Sequence, residues 1–236
     1  MTILHETPDL GRIGRNFEIF DDFTLNFVDA DMWTETIDTD SLTTSIAGAG
    51  GVLELETDGD DNDAVCIETR ELFKLAANKP IYFKARLKVD KNTTTDNYAF
   101  GLCDAPTLDA PLADDGGTLA VPNDGIIFYT RDLTAETTWG LHTEIAQSGV
   151  STLTDVAVDD DTYHEFAFEA QPKSATEISV RPFIDGAQCL DSNGNKIEHT
   201  IVLGTATEMA LFFAAKTGAA AVSKLTVDYV YCGQTR

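Results

Sequence analysis

Apolar and polar residues alternate one for one through much of this chain, and a period of two is incompatible with helices that bury one face. Val52, Leu53 and Leu55 in GVLELET, the run Tyr82 to Val89 (YFKARLKV), and Phe166 with Phe168 in HEFAFEA interleave apolar with polar or charged side chains. Each reads as a half-buried strand. Tyr98 to Cys103, Ile126 to Thr130, Trp139 to Ile145, Ile178 to Ile184 and Leu225 to Cys232 continue the series. Turn clusters separate them: DDGG (Asp114 to Gly117), PNDG (Pro122 to Gly125), Asp159 to Asp161 and SNGN (Ser192 to Asn195). About a dozen short strands punctuated in this way predict an all-β sandwich of two antiparallel sheets. Two segments read as short helical turns capping a sandwich edge, Thr69 to Ala77 (TRELFKLAA) and Thr205 to Ala210. In Lys224 to Tyr231, alternation assigns Leu225, Val227 and Tyr229 to one face and Lys224, Thr226 and Asp228 to the other. Residues 1–16, with Pro8, Gly11 and Gly14 and neither regular period, form an extended N-terminal arm, and residues 17–236 form one domain.

Charge narrows the partners. Sixteen Lys and Arg face 40 Asp and Glu, a formal net charge of -24 over 236 residues. That excess repels phosphate backbones and anionic lipid head groups, so neither nucleic acid nor a membrane surface is an expected partner. No window approaches the roughly 18 apolar residues of a membrane-spanning helix. The start, MTILHETPDLGRIGRNFEIF, lacks the basic-then-apolar pattern of a secretory signal. Cys66, Cys103, Cys189 and Cys232 form no C-x-x-C pair and read as small buried strand residues made in a reducing cytosol. His5, His142, His164 and His199 lack metal spacing, and G-x-S-x-G, H-E-x-x-H and P-loop motifs are absent from the sequence.

Several stretches, in order, resemble a known family. FEIFDDF (Phe17 to Phe23) with Trp33, then GGVLELETDGDDNDAVCIE, LFKLAANKPIYFKARLKV, YAFGLCD, TYHEFAFE, FIDG and the closing KLTVDYVYCGQTR are similar to virion structural proteins of tailed bacteriophages built on the concanavalin A-like lectin/glucanase sandwich. The resemblance covers roughly Phe17 to Arg236. It implies a jelly roll, and a role as a capsid decoration (cement) protein or as a carbohydrate-binding part of a fibre or tail. On the first reading the partner is the major capsid protein, the protein sits on the outer face of the head after assembly in the host cytoplasm, and it forms a homo-oligomer, a trimer at three-fold positions. The contact residues expected for that role are Arg12 and Arg15 in the arm and Leu108, Leu112 and Leu119 in the long loop Asp104 to Asp124, since loops of that length are commonly functional.

The alternatives to decoration are glycan binding and a diverged glycoside hydrolase. For the first, Tyr98, Tyr129 and Trp139 are the candidate stacking platforms. The second requires the glucanase strand motif E-x-D-x-(x)-E, whose carboxylates share one concave face as nucleophile and acid/base. Glu54, Glu56 and Asp58 place three carboxylates on one strand face, and Glu165 and Glu169 flank Ala167 where an Asp is needed. Neither matches the motif, and the expectation is a non-enzyme. TDGDDND (Thr57 to Asp63) has the D-x-D-x-N spacing that opens an EF-hand, but position six is Asp63 rather than Gly and position twelve is Thr69. No cofactor is expected beyond calcium at a looser site built on Asp58, Asp60 and Asp63. The competing reading is a polar turn whose side chains bond nearby amides.

Overall fold

The computed structural model describes residues 16–24, 28–38, 43–46, 51–90, 96–108, 110–112, 119, 124–131, 137–146, 148–204 and 208–235. The arm, with Arg12 and Arg15, lies outside the described residues, and Asn16 already belongs to the first strand. In chain order the strands are β1 (Asn16–Asp21), β2 (Trp33–Ile37), β3 (Thr43–Ile46), β4 (Leu53–Glu56), β5 (Ala64–Thr69), β6 (Phe73–Lys74), β7 (Ile81–Asp90), β8 (Asp96–Cys103) and β9 (Gly125–Thr130). They continue with β10 (Thr138–Ile145), β11 (Ser148–Ala157), β12 (His164–Pro172), β13 (Glu177–Ile184), β14 (Ala187–Gln188), β15 (His199–Val202), β16 (Glu208–Thr217) and β17 (Lys224–Thr235).

Two sheets result. The first has nine strands in the order β14-β13-β12-β7-β17-β4-β3, with β1 beside β17 and β15 beside β13. The second has eight, in the order β11-β10-β9-β8-β16-β5-β2, with β6 beside β16. Every strand pairing named here is antiparallel, so the expected two-sheet antiparallel sandwich is what forms.

Alternation sets the inner faces. In β7, Ile81, Phe83, Ala85, Leu87 and Val89 are buried while Tyr82, Lys84, Arg86 and Lys88 face outward. The core is aromatic at its centre. Phe100 lies 5.6 Å from Phe128, 5.7 Å from Trp139 and 6.2 Å from Phe213 in its own sheet, and 4.9 Å edge-on from Phe166 in the other. Polar clamps join the same two layers. Tyr98 in β8 donates its hydroxyl to the Asp90 carbonyl (2.7 Å) and accepts the Lys224 amide (3.2 Å), and Trp33 Nε1 donates to Asp21 Oδ2 (2.8 Å).

The second sheet is also covered on its outer face. Cys66, Ala99, Cys103, Ile127, Tyr129, Phe212 and Ala214 form a second apolar cluster with Leu112 and Leu119 of the long loop, and Leu108 packs against it. Tyr129 reaches across its neighbour: a Cβ on Gly140 would sit 2.4 Å from the ring, so only glycine fits there.

Two local expectations are corrected. None of the described residues is helical. In TRELFKLAA, Phe73 and Leu75 are buried and Lys74 is exposed, so the segment keeps a period of two as it pairs with β16, and Glu208 to Ala210 likewise lie in a strand. The face assigned to Tyr229 is also wrong. The β17–β7 register shifts between Val227 and Tyr229, a bulge at Asp228 that reverses the phase. Leu225 and Val227 stay inward, Val230 and Cys232 follow them, and Tyr229 turns outward with Tyr231.

Because Phe166 is enclosed by Phe100, Phe128 and Trp139, Phe166→Ala is expected to lower the unfolding free energy by about 3–5 kcal/mol in denaturant titrations, against less than about 0.5 kcal/mol for the exposed Leu72→Ala.

Candidate functional site

The outward side chains of the first sheet form a lattice of opposite charges. Three of the chain's 16 basic residues, Lys84, Arg86 and Lys88, stand on one face of β7. Lys84 pairs with Glu165 in β12 (2.6 Å), Arg86 with Asp228 at the bulge, and Lys88 with Asp161. Tyr229 donates its hydroxyl to Glu165 Oε2 (2.6 Å), and Lys224 bridges Glu56 (2.8 Å) and Glu54 (3.4 Å) in β4. Arg86 lies 4.2 Å and Lys88 5.3 Å from the Tyr163 ring centre. Between these groups is a recess of about 510 Å³, lined by Glu54, Lys88, Asp90, Asp160, Tyr163 and Lys224 among others. Burial, and then the neighbouring Asp160, raises the Asp90 carboxyl above the ordinary carboxylate range.

This arrangement answers the glucanase question on geometric grounds. The strand order β12-β7-β17-β4 separates Glu165 from Glu54 by three strand spacings, about 14 Å at ~4.8 Å each. Paired acid and nucleophile lie about 5–9.5 Å apart in glycosidases. Glu54 and Glu56 clamp a lysine rather than flank an open space, and Glu165 is held by Lys84 and Tyr229.

Beside the recess the same face carries aromatics. Phe20, Tyr231, Lys84, Ala167 and Phe183 form one cross-strand row, and Glu18, Gly233, Tyr82, Glu169 and Arg181 form the next. The end of the Tyr231 ring occupies the space where a Cβ of Gly233 would stand, 2.6 Å from its hydroxyl. Glycine thus lets the ring lie across the sheet, with Phe20 61% exposed and Tyr82 37% exposed beside it. Burial, and then Glu18, pushes the Tyr231 hydroxyl up to about 12.

The aromatics expected from sequence lie elsewhere. Tyr98, Tyr129 and Trp139 are each at most 2% exposed, and rings enclosed on both faces offer nothing for a sugar to stack on. Leu112 and Leu119 are buried and Leu108 is packed beside them on the second sheet, so these leucines face inward rather than towards a shell. In the acidic loop, Asp58 Oδ1 accepts the Asp60 amide (2.8 Å), Asp60 is exposed, and Asp63 is buried. The polar-turn geometry is therefore present at its first half. Among the described residues no three His, Cys, Asp or Glu side chains cluster to hold a metal.

Histidines scattered in sequence meet in space at the β10–β11 edge. His142 Nε2 lies 3.0 Å from Glu144 and its Nδ1 2.8 Å from Ser151, its cross-strand partner. His199 bridges Thr143 (3.0 Å) and Thr152 (2.9 Å). Burial, and then the nearby His142, pushes His199 down to about 4, and burial lowers His142 despite Glu144, which favours its charged form.

No family model and no curated protein matches the chain. Solved structures do. An endo-1,3-β-glucanase from Streptomyces sioyaensis superposes with a TM-score of 0.61 at 15% identity, over 94% of this chain and 97% of that one. Peanut lectin with a bound nine-residue peptide gives 0.58 at 11% identity, over 93% and 97%. A protein of unknown function from Shewanella oneidensis MR-1 gives 0.57 at 12%, over 93% and 87%. These likenesses establish the fold as the concanavalin A-like lectin/glucanase sandwich, a fold shared by binding proteins and enzymes alike.

The unfolded chain takes up a proton on His199 near the ordinary pKa of about 6.5, whereas the folded chain resists until about 4. Stability linked to His199 is therefore complete above about pH 6.5 and is lost as pH falls towards 4. Between these limits His199→Gln is expected to remove a loss on the order of 1–3 kcal/mol, read as a flatter melting-temperature profile than the wild type shows.

Proposed function

We propose that the protein is a non-enzymatic decoration protein of a tailed phage, seated as a trimer on the outer face of the head and stabilising the shell through the major capsid protein. The observation that carries this reading is the fate of the outer-face carboxylates. Glu54, Glu56 and Glu165 are neutralised by the chain's own Lys224 and Lys84 and are spaced wrongly for glycoside cleavage. The second sheet's outer face is covered by the chain itself. What such a body offers to a partner is surface. The ordered sequence resemblance to virion sandwiches supports the reading, as does a net charge of -24, which suits the outside of a shell and not its DNA-facing side. The arm, with Arg12 and Arg15 on an otherwise acidic chain, supplies the chemistry for reaching a neighbouring subunit.

A second reading, glycan binding on a fibre or tail, is favoured by one feature: the Tyr231 ring laid over Gly233 beside Phe20 and Tyr82, with Glu18 and Glu169 at its margin. Its readout is a glycan array, where binding that Tyr231→Ala abolishes supports it and silence at millimolar sugar counts against it.

For the decoration reading, purified protein is expected to co-sediment with stripped heads, raise their melting temperature, and leave purified tails unbound. Binding to tails and not to heads would contradict it.

A further inference from the structure

Where β5 and β8 begin and β16 ends, the sandwich holds two buried carboxylates in one row. Thr217 closes β16, and its partner in β8 is Asp96. On the other side its amide donates to the Asp63 carbonyl (2.9 Å), one register step beyond the pair Lys216 and Ala64. Alternation puts Thr217 on the face of Phe213 and Ala215, Asp96 on that of Tyr98 and Phe100, and Asp63 on that of Val65 and Ile67. All three therefore face into the sandwich. Thr217 and Asp96 have no exposed surface, and Asp63 is 5% exposed.

The acceptors here outnumber the donors the structure shows. Ser223 donates its hydroxyl to Asp96 Oδ1 (2.5 Å), while the Thr217 hydroxyl donates to the Ala219 carbonyl (2.5 Å) and not to a carboxylate. Asp63 Oδ2 is buried with no hydrogen-bond partner. Oδ1 of the adjacent Asn62, whose backbone is held at φ +69, is buried and unpartnered as well. An ionised carboxylate oxygen withdrawn from water and left unpaired is strongly unfavourable, and a second orphaned oxygen beside it cannot donate to it. A positive charge satisfies both oxygens at once.

From this we infer that the β5/β8/β16 end of the sandwich binds a calcium-type divalent cation through Asp63 Oδ2 and Asn62 Oδ1. Asp96, across Thr217, lends a second negative charge to the site. An all-oxygen donor set of carboxylate and amide selects a hard cation over zinc or copper, and calcium tolerates water and backbone carbonyls in the rest of its shell. Asp58 and Asp60 are not part of the set, since Asp58 caps the Asp60 amide and Asp60 is exposed. The inference is independent of the decoration and glycan readings.

The test is thermal unfolding at neutral pH of protein stripped with EDTA and dialysed, with calcium chloride then added, alongside isothermal calorimetry. The expected result is a melting temperature that rises by several degrees and keeps rising with the logarithm of calcium concentration, with heat saturating at one ion per chain. Asp63→Asn is expected to be at least as stable as the stripped wild type, because it removes a buried charge, and to lose the calcium response. Asn62→Ala is expected to weaken the response at least tenfold in concentration, which keeps the test decisive if the Asp63 variant fails to fold. Asp60→Asn should respond as the wild type does. A wild type whose melting temperature and heat ignore millimolar calcium overturns the inference, as does an Asp63→Asn protein that responds fully.

Discussion

The ring of Phe100 touches Phe128, Phe213 and Trp139 from its own sheet and Phe166 from the sheet opposite, and the phase of every strand around it follows from that contact. With side chains alternating at a period of two, a slip of one residue in β8, β12 or β16 would exchange this aromatic centre for polar or small side chains. Register is thereby fixed across both sheets. The outward set is the remainder: Lys84, Arg86 and Lys88 stand on the surface because Phe83, Ala85 and Leu87 are required beneath it.

The bulge at Asp228 changes that remainder on one strand. Before it, Leu225 and Val227 hold the inner face; after it, Val230 and Cys232 do, and two tyrosines pass to the surface. Tyr229 joins the charge lattice through Glu165, and Tyr231 lies across Gly233 beside Phe20 and Tyr82. A single extra residue thus converts an apolar strand end into a surface of rings and ion pairs. Exposed pairs of this kind contribute little stability individually, about 0–1 kcal/mol each, so their weight lies in shaping what the face can contact.

The fold was legible because alternation over Tyr82 to Val89, Tyr98 to Cys103 and Trp139 to Ile145 reports burial directly, and the resemblance added the jelly roll. The surface was much less so. Alternation over Tyr82 to Lys88 already marks an outward row of one tyrosine and three cations, a signal that was readable and passed over. The outward turn of Tyr229 was not readable, since a bulge leaves no mark in the hydrophobic pattern. Tyr98, Tyr129 and Trp139 misled for the opposite reason: aromatics that look available on a strand are the ones a sandwich core takes first. Leu112 and Leu119 sit in a loop by sequence, but only tertiary structure shows that this loop lies over an apolar sheet face. The buried oxygens of Asn62 and Asp63 were half visible, in a carboxylate-rich turn whose spacing suggests a cation but whose burial no spacing reveals.

The account describes a sandwich that binds by surface, with carboxylates held by its own lysines, a covered second sheet and an acidic exterior. Cryo-electron microscopy of intact particles carrying this protein tests that claim most directly. It predicts density for the two-sheet body on the outside of the head, three copies around each occupied three-fold position. Density confined to a tail tip or fibre, or a shell bare of it, would contradict the account.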